Sequence, residues 1–343
     1  MRRVLLRVLS RVLLASLVFV GCVVAGGAWW LHRALAPVEP DSAEETLVPF
    51  EIEPGDSLVR VASALEAGRL VRNARAARWY ARFEDLATRL KVGEYRLSRG
   101  QSTPEILTIL TEGRVETHAV VIPEGLRATE IADRLARAGL ADTQAFLEVV
   151  RDPGTAERLG VEGPGLEGYL FPDTYRFARG LPAVRIVESM VQRFLEVYRE
   201  LEPEARREEI PMRDLVTLAS IVEKETGAHE ERPLIAAVFL NRLARGMRLE
   251  TDPTVIYGIE DFDGNLKRVH LEDSDNPYNT YRSRGLPPGP IANPGRAALE
   301  AVLRPADVPY LYFVSRNDGT HVFSKTYAEH ARHVDRFQRR GRR

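Results

Sequence analysis

The chain has 343 residues, 44% hydrophobic and 28% charged, which leaves room for two folded units. Its 48 basic side chains are offset by 49 acidic ones, and the net charge of −1 removes the electrostatic argument for a nucleic-acid partner. One cysteine, Cys22, excludes an intramolecular disulfide and a cysteine-based metal site.

From Val12 to Leu31 the sequence "VLLASLVFVGCVVAGGAWWL" carries no charge. As a helix it spans roughly 30 Å, the thickness of a bilayer core. Arg2, Arg3, Arg7 and Arg11 precede it and hold the N-terminus in the cytoplasm, so the remainder crosses. Trp29 and Trp30 end the stretch where a signal peptide would carry small residues, which predicts a retained anchor over residues 1–36. Phe19 does not suit a lipoprotein cleavage site before Cys22, so Cys22 is read as part of the membrane helix. "APVEPDSAEETLVP" then predicts a linker over residues 37–47.

Phe50–Val71 and Val120–Ala141 align without a gap at an offset of 70, matching Ile52 with Ile122, Gly55 with Gly125 and Leu65 with Leu135. Each predicts a strand, a glycine turn and an amphipathic helix. In the first copy "IEPGDSLVRVASAL" resembles the opening of a LysM-like module, and Lys91–Val115 supplies a returning strand and a further helix. That resemblance implies a glycan-holding unit over residues 48–116.

Beyond the second copy, "LEGYLFPDTYRF", "GMRLETDPTVIYG" and "NPYNTYRSRGLPPGPIANPG" are loops rich in Tyr, Asn, Thr and Pro. Such surfaces suit carbohydrate, with rings covering sugar faces and amides and hydroxyls bonding the rims. The expected sugar contacts are Tyr175, Thr251, Asp252, Thr254, Tyr257, Asn279, Thr280 and Tyr281.

A fourth stretch, "LASIVEKETG", predicts a helix from Asp214 to a glycine cap at Gly227. Its apolar residues Leu215, Val216, Leu218, Ala219 and Val222 cover an arc of about 160°. Glu223 and Glu225 both fall in apolar company, whereas Lys224 points outward. Periodicity does not choose between the two glutamates, and either could pair with an arginine such as Arg242 or Arg248. Near the C-terminus, "YLYFVS" and "HVFS" flank Asn317-Asp318-Gly319 as a hairpin. His330 and His333 lie on a charged helix with no partner motif, so no metal site is expected, and with no phosphate-binding loop no cofactor is expected either.

The four stretches, with the closing "PYLYFVSRNDGTHVFSKTYAEH", resemble the endolytic murein transglycosylase or YceG-like family over roughly residues 45–335. The resemblance implies Glu223 as the catalytic acid, and Glu225, Glu167 and Asp173 are the reserve carboxylates, expected as a supporting acid or ion pair. It implies a catalytic domain over 117–343 on the periplasmic side of a bacterial inner membrane. The substrate would be nascent peptidoglycan strands and the neighbours penicillin-binding proteins. One departure is Glu250, where the family commonly has Gln. The expected fold class is α+β: an anchor helix, a small LysM-like α/β module and a larger mixed catalytic domain. A non-catalytic peptidoglycan-binding scaffold and a water-using muramidase are the competing readings. For a single carboxyl group to act as the acid, its burial beside Val222 and Ala219 is the expected device.

Overall fold

The computed structural model describes residues 2–41 and 47–339, with side chains from residue 14 onward except residue 15. Part of the expected linker, residues 42–46, lies outside the described residues, as do the side chains of the leading arginines. The chain is α+β, with helices throughout and three two-stranded sheets among the described residues. It divides into one unit of residues 1–118 with 178–180 and another of 119–177 with 181–343.

In the first unit α1 (Arg2–Leu35) is a 34-residue helix whose apolar side chains from Leu14 to Trp30 are exposed. Then come β1 (Leu47–Ile52), α2 (Leu58–Ala67), α3 (Ala74–Phe83), β2 (Gly93–Ser98) and α4 (Thr103–Glu112). β1 and β2 pair antiparallel, Phe50 opposite Tyr95. Side-chain oxygens of Ser57, Asn73 and Ser102 accept from the first turns of the three module helices, so each starts where an N-cap residue is written. Ile52, Val61, Leu65, Tyr95, Leu97, Ile106 and Leu110 form the core. The residues that follow α1 are not free of this unit. Arg72 donates to Pro37 O at 2.8 Å and Val38 O at 3.1 Å, and Glu39 N donates to Arg99 O at 3.0 Å. The first part of the expected linker is thus tied down, because three carbonyls and amides find partners in the module.

The second unit begins with β3 (His118–Val121), which leads from the first, and α5 (Ala128–Arg137). The internal repeat is visible in the backbone. Gly55 and Gly125 both take a left-handed turn, at φ +90° and +76°, and so do Arg69 and Gly139, which also lie 70 apart. Leu70 N reaches Leu65 O at 2.8 Å as Leu140 N reaches Leu135 O at 3.0 Å. α6 (Thr143–Arg151), α7 (Pro153–Leu159) and β4 (Thr174–Phe177) follow, with β4 pairing to β3. The core is then built by α8 (Ala183–Arg207), α9 (Met212–Glu225), α10 (Arg232–Ala244) and α13 (Arg296–Leu303), with α9 packed against both α10 and α13. α11 (Asp252–Tyr257) and α12 (Arg268–Glu272) are short turns of helix in the loop region. β5 (Tyr312–Ser315) and β6 (His321–Ser324) form the expected hairpin, and α14 (Tyr327–Val334) follows.

Leu215 to Val222 of α9 are all buried, as the apolar spacing predicts. The helix ends earlier than expected. Thr226 is extended, and its hydroxyl accepts from Ala228 N at 2.9 Å, so a threonine turn ends α9 and Gly227 is not a left-handed cap. That early exit frees the last turn, with both glutamates, to face a cleft.

Candidate active site

Glu223 sits where three chain segments meet. Its Oε1 accepts from Arg232 Nη2 at 2.6 Å and its Oε2 accepts from Gly295 N at 3.0 Å. Both side chains are nearly sealed, Glu223 at 5% and Arg232 at 4% exposure. The same Nη2 donates to Glu124 Oε2 at 3.3 Å, and Nη1 of Arg232 contacts His229 Nδ1. One guanidinium therefore joins two carboxylates. Glu124 is 41% exposed on its side chain. Burial first, and the charge of Glu223 second, push its carboxyl above the usual range. These groups line a cleft of about 440 Å³ that also takes in Lys224, Glu225 and His229.

The surroundings of Glu223 differ from the expected apolar cradle. Val222 and Ala219 pack into the core, whereas the carboxylate itself meets a guanidinium and a main-chain N–H, because it lies at the last turn of α9. The arginine is neither of those anticipated. Arg242 is occupied by Leu311 O at 2.7 Å, by Leu249 O at 2.9 Å and by Glu250 at 3.2 Å, so the departure at Glu250 gives the buried Arg242 an ion-pair partner. Lys224 is exposed as expected, and its Nζ donates to Gly125 O at 3.2 Å.

Glu225 shares the cleft and receives the Thr251 hydroxyl. Burial pushes its carboxyl up to about 7. A carboxyl that holds its proton more tightly when folded stabilises the fold most below its unfolded value near 4.5, and that stability is lost as pH rises through about 7. Glu225→Gln is accordingly expected to flatten the fall in Tm between pH 5 and 8, measured by circular dichroism. An unchanged slope would show that burial does not control this group.

Glu167 lies elsewhere, on a second cavity of about 760 Å³ lined also by Arg127, Tyr257 and Tyr278. It accepts from Ala128 N at 3.0 Å, Asn293 Nδ2 at 2.8 Å and Tyr257 OH at 3.4 Å, and burial raises it to about 7. A third cavity, lined by Lys224, Arg127 and Asp261, shares residues with each of the other two. The three adjoin in series, the Glu223 cleft meeting the third at Lys224 and the Glu167 cavity meeting it at Arg127, and they outline a groove.

The other predicted site residues divide by burial. Thr251, Thr254, Asn279 and Thr280 are buried. Thr254 and Thr280 hydroxyls bond each other at 2.8 Å, and Asn279 Nδ2 holds His270 O and Leu271 O at 3.2 Å. Their polar groups bond one another, the main chain of the loop and, for Thr251, Glu225 of the cleft. Asp252 accepts from Tyr281 OH at 2.7 Å beside Glu225. Tyr175 is removed from the groove, its hydroxyl on Phe171 O at 2.6 Å and its ring stacked on Phe177. Asp173 is likewise removed, paired with Arg193 at 2.7 Å. Tyr257 alone among the eight expected sugar contacts lines the groove.

Sequence reasoning missed Glu124, Arg232, Asn293 and Gly295. At the offset of 70 Glu124 stands opposite Pro54, between the matched isoleucine and glycine, because Glu53-Pro54 of the first copy is Pro123-Glu124 in the second. Gly295 ends a loop stretch whose sequence marks it only as a turn residue. A Cβ there would overlap Glu124 Oε1, so glycine is required for the carboxylate to lie against the backbone. Arg232 stands in no pattern visible along the chain.

The YceG-like family profile matches residues 50–336. The endolytic murein transglycosylase of Bacillus subtilis (strain 168) is 32% identical over 332 residues, covering 92% of this chain and 91% of that protein. The endolytic murein transglycosylase of Streptococcus pneumoniae serotype 2 (strain D39 / NCTC 7466) is 28% identical over 353 residues, and the match spans 94% of this chain but 64% of that longer protein. A crystal structure of a YceG-like protein from Listeria monocytogenes superposes with a TM-score of 0.58 at 34% identity, covering 84% of this chain and 99% of that one. With the profile matching most of its length, this chain belongs to the YceG-like family.

Proposed function

We propose that the chain is an endolytic transglycosylase that cleaves the MurNAc–GlcNAc bond of peptidoglycan, with Glu223 as its acid and base. The observation that carries this is the sealed carboxylate on the floor of an open groove, held by Arg232 and the Gly295 N–H. Glu223 first protonates the leaving glycosidic oxygen, and then takes the proton of the MurNAc 6-hydroxyl as that oxygen attacks C1. No carboxylate nucleophile and no water are consumed, and the product ends in 1,6-anhydroMurNAc. The two donors on Glu223 suit its second task, when it must act as a carboxylate. For the first task Glu124 is the neighbour able to take over Arg232 and release Glu223 Oε1 for the glycosidic oxygen.

Digestion of purified sacculi with mass analysis tests the reading. Anhydro ends support it; reducing ends, heavier by one water, would replace it with a muramidase, and no products at all with a scaffold. Glu124→Gln is expected to lower kcat about tenfold, a change of about 1.4 kcal/mol in the barrier. A kcat equal to wild type would remove Glu124 from the mechanism.

The order β1-α2-α3-β2 supports reading residues 48–116 as a LysM-like module that holds glycan. Within the same proposal residues 1–36 are the tail and membrane anchor with the N-terminus cytoplasmic, 37–47 connect them to the module, and 117–343 are the catalytic domain in the periplasm. There the enzyme works on nascent strands beside the penicillin-binding proteins that make them.

A further inference from the structure

The helix α3 is built inside out for a soluble protein. Ala74, Ala76, Ala77 and Ala81 make its buried face, while Trp79 and Phe83 stand 53% and 71% exposed, their rings stacked 5.4 Å apart. Burying large aromatics and exposing alanines is the usual economy of a water-facing helix. Arg75, Arg78 and Arg82 share the outward arc with the two rings, and none of their guanidinium groups has a hydrogen-bond or ion-pair partner among the described residues. Glu84 falls on the opposite side of the wheel, and Asp85 has left the helix at φ +53°. The face is therefore aromatic and basic, with no counter-charge on it among the described residues.

Its location gives it an occupant. α3 packs against α1, and the part of α1 that the module covers is its last turns: Ala34 is buried and Leu31 and Leu35 half-buried, while Trp29 and Trp30 just before them are exposed. Arg72, directly before α3, holds the carbonyls of Pro37 and Val38. If α1 spans the bilayer through its uncharged stretch, Leu31–Leu35 lies at the head-group level. A helix packed there is within about 8–10 Å of that level. Interfacial helices have this composition, with Trp or Phe entering the acyl boundary and Arg on the phosphates.

We infer that the outward face of α3 rests on the bilayer surface that α1 enters, with Trp79 and Phe83 in the interface and Arg75, Arg78 and Arg82 on anionic head groups. This rests on α1 being a retained anchor, and it is independent of the catalytic reading. The probe is the full chain carrying Trp29→Phe and Trp30→Phe, which leaves Trp79 the single tryptophan of the three. It is reconstituted into vesicles of phosphatidylcholine and phosphatidylglycerol whose phosphatidylcholine is brominated near the head group.

The expected result is that brominated lipid roughly halves Trp79 emission while aqueous acrylamide leaves it largely unchanged. Replacing Arg75, Arg78 and Arg82 by Gln should weaken the lipid quenching. Acrylamide quenching without lipid quenching would overturn the inference. So would protection from both quenchers, which would put a second protein chain on this face. Flotation of the same sample with the vesicles reports the anchor separately: a chain that floats yet shows no lipid quenching overturns the α3 placement alone. A chain that fails to float overturns the anchor and the placement together.

Discussion

Glu223→Gln is expected to remove anhydro-ended products from sacculus digests, a loss of at least about 10²–10⁴ in kcat, the usual contribution of one acid or base group. One residue serving both halves of the reaction puts the loss at the upper end. The substitution keeps the shape of the side chain, but one of its two oxygens becomes an NH₂ that must face either Arg232 or the Gly295 N–H, both donors. The variant is therefore expected to fold while losing about 1–3 kcal/mol of stability from the unpaired donor. Activity must be measured well below its Tm to separate the two effects.

Glu225→Gln measured in parallel decides between the glutamates. A proton affinity near the working pH is the ordinary mark of a general acid, and Glu225, at about 7, carries that mark in the same cleft. Position favours Glu223, which meets Arg232 and Glu124 at the groove floor, while Glu225 is turned to Thr251. If Glu225→Gln were inactive and Glu223→Gln active, the assignment would be reversed.

How much of this was readable in the chain depends on distance along it. The repeat, α9 and the C-terminal hairpin follow from local periodicity and turn residues, and each lies within a short window. The helix boundary at Gly227 failed because a threonine hydroxyl competed for the backbone first. Along the chain, the loop polarity that marks Asn279, Thr280 and Thr254 is the same whether a hydroxyl faces ligand or another hydroxyl. Only burial distinguishes the two. The two partners of Glu223 arrive from sequence separations of 9 and 72 residues, and Glu124 joins Arg232 across 108. No pattern along one chain encodes those encounters, and the resemblance chose Glu223 before geometry could describe it.

The second large effect belongs to Asn293, which ties together the three segments around the site. Its Oδ1 accepts from Gly168 N at 2.9 Å and Leu170 N at 2.8 Å, and its Nδ2 donates to Leu126 O at 2.9 Å and Glu167 Oε1 at 2.8 Å. The side chain is fully buried, so all four bonds are made away from water. Asn293→Ala strands two buried N–H groups, each worth about 1–3 kcal/mol, and the expected loss is about 4 kcal/mol in urea unfolding. A loss under about 1 kcal/mol would mean that the segments hold without this side chain.

Asn293→Asp sharpens the test. It keeps the acceptor for Gly168 and Leu170 but sets a second carboxyl oxygen against Glu167, already raised to about 7 by burial. Two carboxyls in contact share a proton comfortably and two carboxylates repel. Because both are held above their unfolded values, the added stability is present at low pH and is lost as pH rises through the folded value. The Asp variant should approach wild type at pH 5 and fall well below it at pH 8, whereas Asn293→Ala should remain destabilised at both. Parallel pH dependences for the two variants would show that Glu167 and residue 293 are not coupled.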